Sequence, residues 1–86
     1  MKIDFRAIPC RDIEGNILVT DLSKELGNVI YRDTSDLGEL DLAMRIYREG
    51  IVDLNDEEMN CVRNYVDKQF KAFVKRGFAE ACQGTD

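Results

Sequence analysis

The segment Asp33–Met44 has the residue types and part of the spacing of a calcium-binding loop. Oxygen-bearing side chains stand at positions 1, 3 and 9 of the twelve-residue pattern, and a glycine stands at position 6. An EF-hand loop also needs an oxygen ligand at position 5 and a bidentate glutamate at position 12. Leu37 and Met44 occupy these two positions. We therefore predict no metal site here or elsewhere in the chain.

The chain has three cysteines and no histidine. Nucleophilic pairs that use histidine are therefore excluded, and the usual zinc sets lose most of their ligands. Cys10, Cys61 and Cys82 show no C-x-x-C spacing, so we interpret them as reduced structural thiols. The glycine-rich phosphate-binding patterns are also absent. We predict no catalytic residue, no cofactor, no small-molecule ligand and no enzyme activity.

The charge of the chain is unevenly distributed. The net charge is −5, and residues 33–60, the acidic middle segment, carry nine negative and two positive side chains. This charge repels phosphates and disfavours nucleic-acid binding. A small DNA-associated regulator remains the alternative, because two helices joined by a short link resemble a helix-turn-helix. Its candidate recognition helix, Asn55–Lys68, begins with three acids, which fit a DNA groove poorly.

The elements that must position these residues begin with a predicted β-hairpin. Apolar and charged residues alternate over Lys2–Ile8, as in a half-buried strand. Pro9 removes a ladder donor and is expected to end this strand. Residues 12–16 have turn composition, and Ile17–Thr20 is apolar and largely β-branched. We predict that strands 2–8 and 17–20 pair antiparallel with each other.

Capping patterns indicate two helices in the middle of the chain. Asp21 is expected to cap a helix over Leu22–Tyr31. Asp36 is expected to start the next helix, because Glu39 stands three residues later, at the capping-box position. That helix is expected to end at Gly50, since glycine readily takes the positive φ of a helix C-terminus.

The C-terminal third is predicted to be helical with a bend. Ile51–Leu54 is extended, and either adds a short third strand or only links two helices. Asn55 and Glu58 then have the spacing of a capping box. Apolar residues recur at offsets of three and four from there towards Cys82, but a straight helix of that length is long for a small domain. We therefore predict a bend near Lys68–Lys71.

The fold predicted from these elements is a single α+β domain over residues 1–86. An N-terminal β-hairpin packs on three or four helices, and residues 83–86 form a frayed tail. No run of 18 apolar residues occurs, so no membrane span is expected. The N-terminal residues lack the apolar stretch of a signal peptide. We accordingly expect a cytoplasmic protein without a membrane partner.

The last helix carries the predicted interaction surface. Phe73 and Phe78 belong to a broad apolar face that an 86-residue fold has little surface to cover. Positive residues flank this face and can meet the acidic middle segment of a second copy: Lys71, Lys75 and Arg76. We predict a homo-oligomer or another protein partner, with Phe78 uncovered and Gly77 allowing another backbone to approach. Ordinary core packing is the alternative for Phe78.

The order of turns, apolar spacings and helix starts also resembles a group of small bacterial proteins. The residues that carry the resemblance are Asp12–Gly15, Asp21–Asn28, Ala43, Ile46–Gly50, Val52–Leu54, Glu58 and Val62. In these features the chain is similar to short uncharacterised proteins encoded in bacteriophages, prophages and other mobile elements. The resemblance implies a small α+β fold and a phage or mobile-element setting, and it carries over no catalytic residue. The chain departs from the pattern near Lys68–Lys71, where a more marked helix break is expected.

Overall fold

The computed structural model describes residues 1–83 and has four strands and four helices. The elements in chain order are β1 (Lys2–Asp4), β2 (Ile8–Arg11), β3 (Ile17–Thr20), α1 (Ser23–Asp33), α2 (Leu37–Glu49), β4 (Ile51–Asp53), α3 (Asp56–Gln69) and α4 (Ala72–Gln83). The predicted α+β class is confirmed. Residues 84–86, most of the predicted tail, lie outside the described residues, and Gln83 still has helical backbone.

The strand pairing differs from the predicted single hairpin. The predicted strand over residues 2–8 is interrupted by a turn after Asp4, whose carboxylate accepts a hydrogen bond from the Arg6 amide at 3.0 Å. β1 pairs antiparallel with β4, with Ile3 opposite Val52. β4 therefore exists, which settles the choice between strand and linker for this segment. β2 and β3 form a separate antiparallel sheet.

Pro9 does not end a strand but lies inside β2, opposite Val19 of β3. The hydrogen-bond pattern explains why it is tolerated there. The Asp12 amide donates to the Asn16 carbonyl at 3.0 Å. Because hydrogen-bonded and non-hydrogen-bonded pairs alternate along an antiparallel ladder, the Pro9–Val19 pair is a non-hydrogen-bonded one. The donor that proline lacks would therefore have pointed away from β3.

The middle helices follow their predicted caps with local differences. α1 begins one residue later than predicted, with Leu22 as an N-cap that has no side-chain cap bond. The Asp21 carboxylate accepts instead from both the amide and the hydroxyl of Ser23, at 3.0 and 2.6 Å. α2 is capped by Asp36, which accepts from the Glu39 amide at 2.9 Å. Gly50 follows α2 with a positive φ of 76°, as predicted.

Glu39 does not complete a capping box at the start of α2. Its carboxylate accepts a hydrogen bond from the Thr34 hydroxyl at 2.7 Å, and that same hydroxyl oxygen accepts from the Asp36 amide at 3.0 Å. In a capping box the Glu39 carboxylate would bond directly to the Asp36 amide. Here the Thr34 hydroxyl lies between these two groups and bonds to both. The loop before α2 is held by this three-residue arrangement.

Helix α3 has the complete capping box predicted for it. The Asn55 side chain accepts from the Glu58 amide at 2.8 Å, and the Glu58 carboxylate accepts from the Asn55 amide at 3.0 Å. These bonds pair two of the backbone donors that a helix start leaves open. The predicted bend is also confirmed, because Phe70 has extended backbone between α3 and α4.

The core lies where both small sheets meet the helices. Its fully buried large side chains come from β1, β2, α1, α2 and α3 and from the turn after β1: Ile3, Phe5, Ile8, Cys10, Leu26, Ile30, Leu42, Ile46 and Val62. Helix α4 completes the core from the side of β2, through Val74 and Phe78. The position of α4 against β2 determines which surfaces remain open.

Candidate functional site

The predicted interaction surface on α4 is only partly exposed. Phe78 is 3% exposed, and its ring stacks on that of Phe5 with centroids 6.3 Å apart. The prediction that Phe78 is uncovered is therefore wrong, and the core alternative holds for it. The turn after β1 brings Phe5 to this face, and the sequence pattern had assigned that residue to a continuous strand.

The other predicted surface residues of α4 lie at or near the protein surface. Phe73 is 49% exposed, Lys71 and Arg76 are exposed, and Lys75 is half-buried. Lys75 contributes to a groove of about 250 Å³ between α3 and α4. The structure thus keeps Phe73 with two of the three predicted cations on the surface and separates them from the buried Phe78.

The outer edge of β2 is covered by α4. A Cβ atom added at Gly77 would lie 2.7 Å from the Pro9 carbonyl oxygen and 3.1 Å from the Cys10 Cα. The expected close approach of a backbone at Gly77 is thus made by this chain's own strand. The Arg11 Nε also donates to the Glu80 carboxylate at 3.0 Å. The outer edge of β2 therefore lacks a backbone donor at Pro9 and is covered by α4.

The outer edge of β3 is open. The alternation of pairs along the ladder makes Cys10–Leu18 a hydrogen-bonded pair and Arg11–Ile17 a non-hydrogen-bonded one. The amide and carbonyl groups of Ile17 and Val19 therefore point away from β2. No further strand joins this edge among residues 1–83. Such an edge is a ready template for another strand.

The side chains of β3 are apolar and accessible. Ile17, Leu18 and Val19 are 53%, 51% and 70% exposed, and Ile13 in the preceding turn is fully exposed. Consecutive exposure of three apolar residues means that both faces of β3 are accessible. Sequence reasoning found this strand but not its exposure. One signal could have indicated this exposure. Ile17, Leu18 and Val19 form an apolar run without alternation, and a chain of 86 residues has little surface to cover both faces of a hairpin.

Two aromatic residues line a second concavity, between α1 and α2. The helices approach closely at Gly27, where an added Cβ would lie 2.9 Å from the Tyr47 Cβ. The resulting groove of about 280 Å³ is also lined by Tyr31 and Arg48. The Lys24 ammonium lies 5.7 Å from the centre of the Tyr47 ring, within the range of a cation–π contact. The groove offers aromatic surface and positive charge.

The thiol of Cys61 lies in a polar cluster between α2 and α3. Burial, followed by the nearby Glu39 carboxylate, raises the pKa of Cys61 from 9.0 to about 11. Burial also raises the pKa of Tyr65, whose hydroxyl donates to Glu39 at 3.4 Å. The thiolate is the reactive form of cysteine, so this environment suppresses nucleophilic chemistry.

Residues 1–83 present no cluster of metal ligands and no membrane-spanning helix. No group of three or more cysteine and acidic side chains in this part of the chain has the arrangement of a metal site. The calcium-like segment is helical from Leu37 onward, so it does not form a loop. None of the described helices combines the length and the apolar character that crossing a membrane requires.

Comparison with known proteins gives no relative. The chain matches no protein-family model, no curated protein and no solved structure.

Proposed function

We propose that this chain is a non-enzymatic protein–protein interaction or assembly module, and that the open edge of β3 is its main contact. One observation supports this above the others: Ile17, Leu18 and Val19 present apolar side chains on one exposed strand, and the backbone groups of Ile17 and Val19 are unpaired. Proteins usually protect such edges with charge, proline, bulges or a covering element. β3 has none of these, whereas β2 in the same sheet has a proline, a charged residue (Arg11) and the covering helix α4.

The module is proposed to act in the cytoplasm, with a phage or mobile-element setting supported by the resemblance of its turns and apolar spacings. Phe73, Lys71 and Arg76 offer a second contact area at the start of α4, since all three are exposed. The charge at the start of α3 disfavours DNA as a partner. Asp56 and Glu57 stay exposed at the start of α3 and repel phosphates there.

A site-specific cross-linking experiment tests this proposal. A photoreactive phenylalanine analogue placed at Val19 should give covalent protein adducts when the full chain is expressed in the organism that encodes it. The same analogue at Asn64, an exposed position on α3, is the matched control. Adding Ile17→Lys to the Val19 variant should remove the adducts, because the charge blocks strand pairing. Adduct yield at position 19 no higher than at position 64 would contradict the proposal.

A further inference from the structure

The partner that β3 fits best is a second copy of itself. Resting on the function proposed above, we propose that two copies pair antiparallel through β3 about a two-fold axis at Leu18. The product is a four-stranded sheet in the order β2, β3, β3, β2.

The hydrogen-bonding pattern restricts the register. Only Ile17 and Val19 of β3 direct their backbone groups outward, so the new ladder must make its hydrogen-bonded pairs from these residues. A two-fold axis perpendicular to the sheet also leaves the corresponding faces of the two copies on the same side of the combined sheet. Residues on the same face must therefore lie opposite each other. Three registers satisfy both conditions, centred on Ile17, Leu18 or Val19.

The side chains select one of these registers. Centred on Leu18, Ile17 faces Val19 of the second copy, Leu18 faces Leu18, and Asn16 faces Thr20. Every apolar residue then meets an apolar one and every polar residue a polar one. Matched cross-strand pairs of this kind stabilise a sheet.

The two other registers bring unlike residues together. Centring on Ile17 places Leu18 opposite Asn16 and Val19 opposite Gly15. Centring on Val19 places Ile17 opposite the Asp21 carboxylate. The sequence of β3 with its preceding asparagine is thus self-complementary about Leu18 alone.

The absence of charge on β3 favours a second copy as its partner, although the net charge of the chain does not. β3 carries no charged side chain, so two copies meet without like charges opposite each other. The whole chain has a net charge of −5, which opposes association at long range. Salt screens that repulsion and should strengthen this dimer. A dimer joining the α4 cations to the acidic middle segment would instead weaken with salt, so the salt response separates the two surfaces.

The area available predicts a weak dimer. The pairing involves only four-residue strands and their flanking turns. The surface that it buries should therefore be less than the about 1,200 Å² of a standard stable interface. Association should therefore appear at high micromolar concentration. Measurements must extend to that range.

Sedimentation of the purified full chain provides the first test. The mass of the wild type should rise towards twice the monomer value at several hundred micromolar, and more so in 0.5 M salt. Val19→Lys should remain monomeric, because it places charges of one sign in the new ladder. Leu37→Lys, at an exposed position on α2, makes the same charge change and should dimerise like the wild type. A monomeric wild type, or a dimeric Val19→Lys, would overturn the proposal.

Disulfide trapping provides the second test and reads the register. Leu18→Cys places two cysteines in a non-hydrogen-bonded pair with Cα atoms about 4.5 Å apart, within reach of a disulfide. Ile17→Cys and Val19→Cys place them diagonally at about 7–8 Å, which is too far. Cross-linking should be at least ten-fold faster at position 18. All three variants carry Cys10→Ala, because Cys10 lies opposite position 18 in the same chain and would compete for the new thiol. The Cys10→Ala chain alone reports the contribution of the other native cysteines, and equal or faster cross-linking at 17 or 19 would reject the register.

These tests separate the inference from the function on which it rests. If the purified wild type stays monomeric while position 19 cross-links to a different protein in cells, self-pairing is overturned and the interaction function stands. If position 19 gives no adduct in cells, the interaction function is overturned, and sedimentation with disulfide trapping decides self-pairing by itself.

Discussion

The two outer edges of the β2–β3 sheet are protected to opposite degrees. The edge of β2 has a proline in place of one donor, and α4 lies against it at Gly77. The edge of β3 has two residues with outward backbone groups and three exposed apolar side chains. Both edges belong to one hairpin of two four-residue strands, so the difference does not come from strand length. It comes from which edge the rest of the chain returns to cover.

The comparison shows that the hairpin has a structural side and an available side. Changes on the β2 side should reduce stability and leave association unaffected until the fold fails. Changes on the outward positions of β3 should reduce association and leave stability nearly unchanged. The predictions below test this division, beginning with the largest effect.

Adding a side chain at Gly77 should reduce stability more than any other change at these two edges. Gly77→Val places a branched side chain against the Pro9 carbonyl oxygen, where even a Cβ would lie at 2.7 Å. Overpacking against backbone atoms should lower the free energy of unfolding by about 3 kcal/mol, measured by urea denaturation. Ala79→Val adds the same side chain at an exposed position of α4 and should cost far less. Equal effects of the two variants would show that α4 does not close this edge.

Proline scanning should distinguish inward from outward positions of β3. Leu18→Pro removes the donor paired with the buried Cys10 carbonyl and should cost about 2 kcal/mol of unfolding free energy. Val19→Pro removes only an outward donor, so it should cost clearly less while preventing self-association. Urea denaturation and sedimentation measure the two properties. The reverse order of destabilisation would mean that the hydrogen-bond alternation assigned to this sheet is wrong.

The ion pair between β2 and α4 should contribute modestly. Glu80→Gln removes the negative charge that pairs with Arg11, whose side chain is partly exposed, and should lower the unfolding free energy by about 0.5–1 kcal/mol. The effect should shrink in 1 M salt, because the charges are then screened. Asp67→Asn removes one negative charge from an exposed position of α3 and serves as the control. No difference between the two variants at low salt would show that the pair does not hold α4 to β2.

The smallest effect concerns the turn that joins the two strands. Hydrogen bonds from the Asn16 amide and its neighbours hold the pKa of Asp12 below its ordinary value of 3.8. Because the folded pKa is the lower one, the stabilisation is present above pH 3.8 and is lost as pH falls through the folded value. The Asn16 amide shift in NMR should titrate below pH 3.8, and Asp12→Ala should abolish that step. A midpoint at or above 3.8 would contradict the assignment.

Local signals in the sequence predicted the helix starts and the bend. Asn55 and Glu58 stand three residues apart, and the side chain of each bonds to the backbone of the other. Both hydrogen-bonding partners therefore lie within the four-residue pattern. Gly50 likewise ends a helix because of its own backbone freedom. The break at Phe70 followed from length, since one straight helix would have outgrown the domain.

Long-range pairing was not predictable in the same way. An alternating pattern over residues 2–8 fits one strand, and nothing near it in the sequence identifies residues 51–53 as the partner of β1. The error over Phe78 followed from this one, because the turn after β1 is what brings Phe5 onto its ring. The exposure of β3 was missed for the same reason. It depends on α4 packing against β2 rather than β3.

The separation in sequence between Pro9 and α4 has a consequence for the chain during synthesis. About 60 residues lie between the end of β3 and the end of α4, so a ribosome adding 5–20 residues per second takes roughly 3–12 s to provide the covering helix. During that interval the nascent hairpin has neither edge covered. Proline protects β2 without any later residue, since its missing donor is built into the backbone. A nascent chain with Pro9→Ala would offer two complete edges, and its co-translational aggregation should increase even where the finished protein is equally stable.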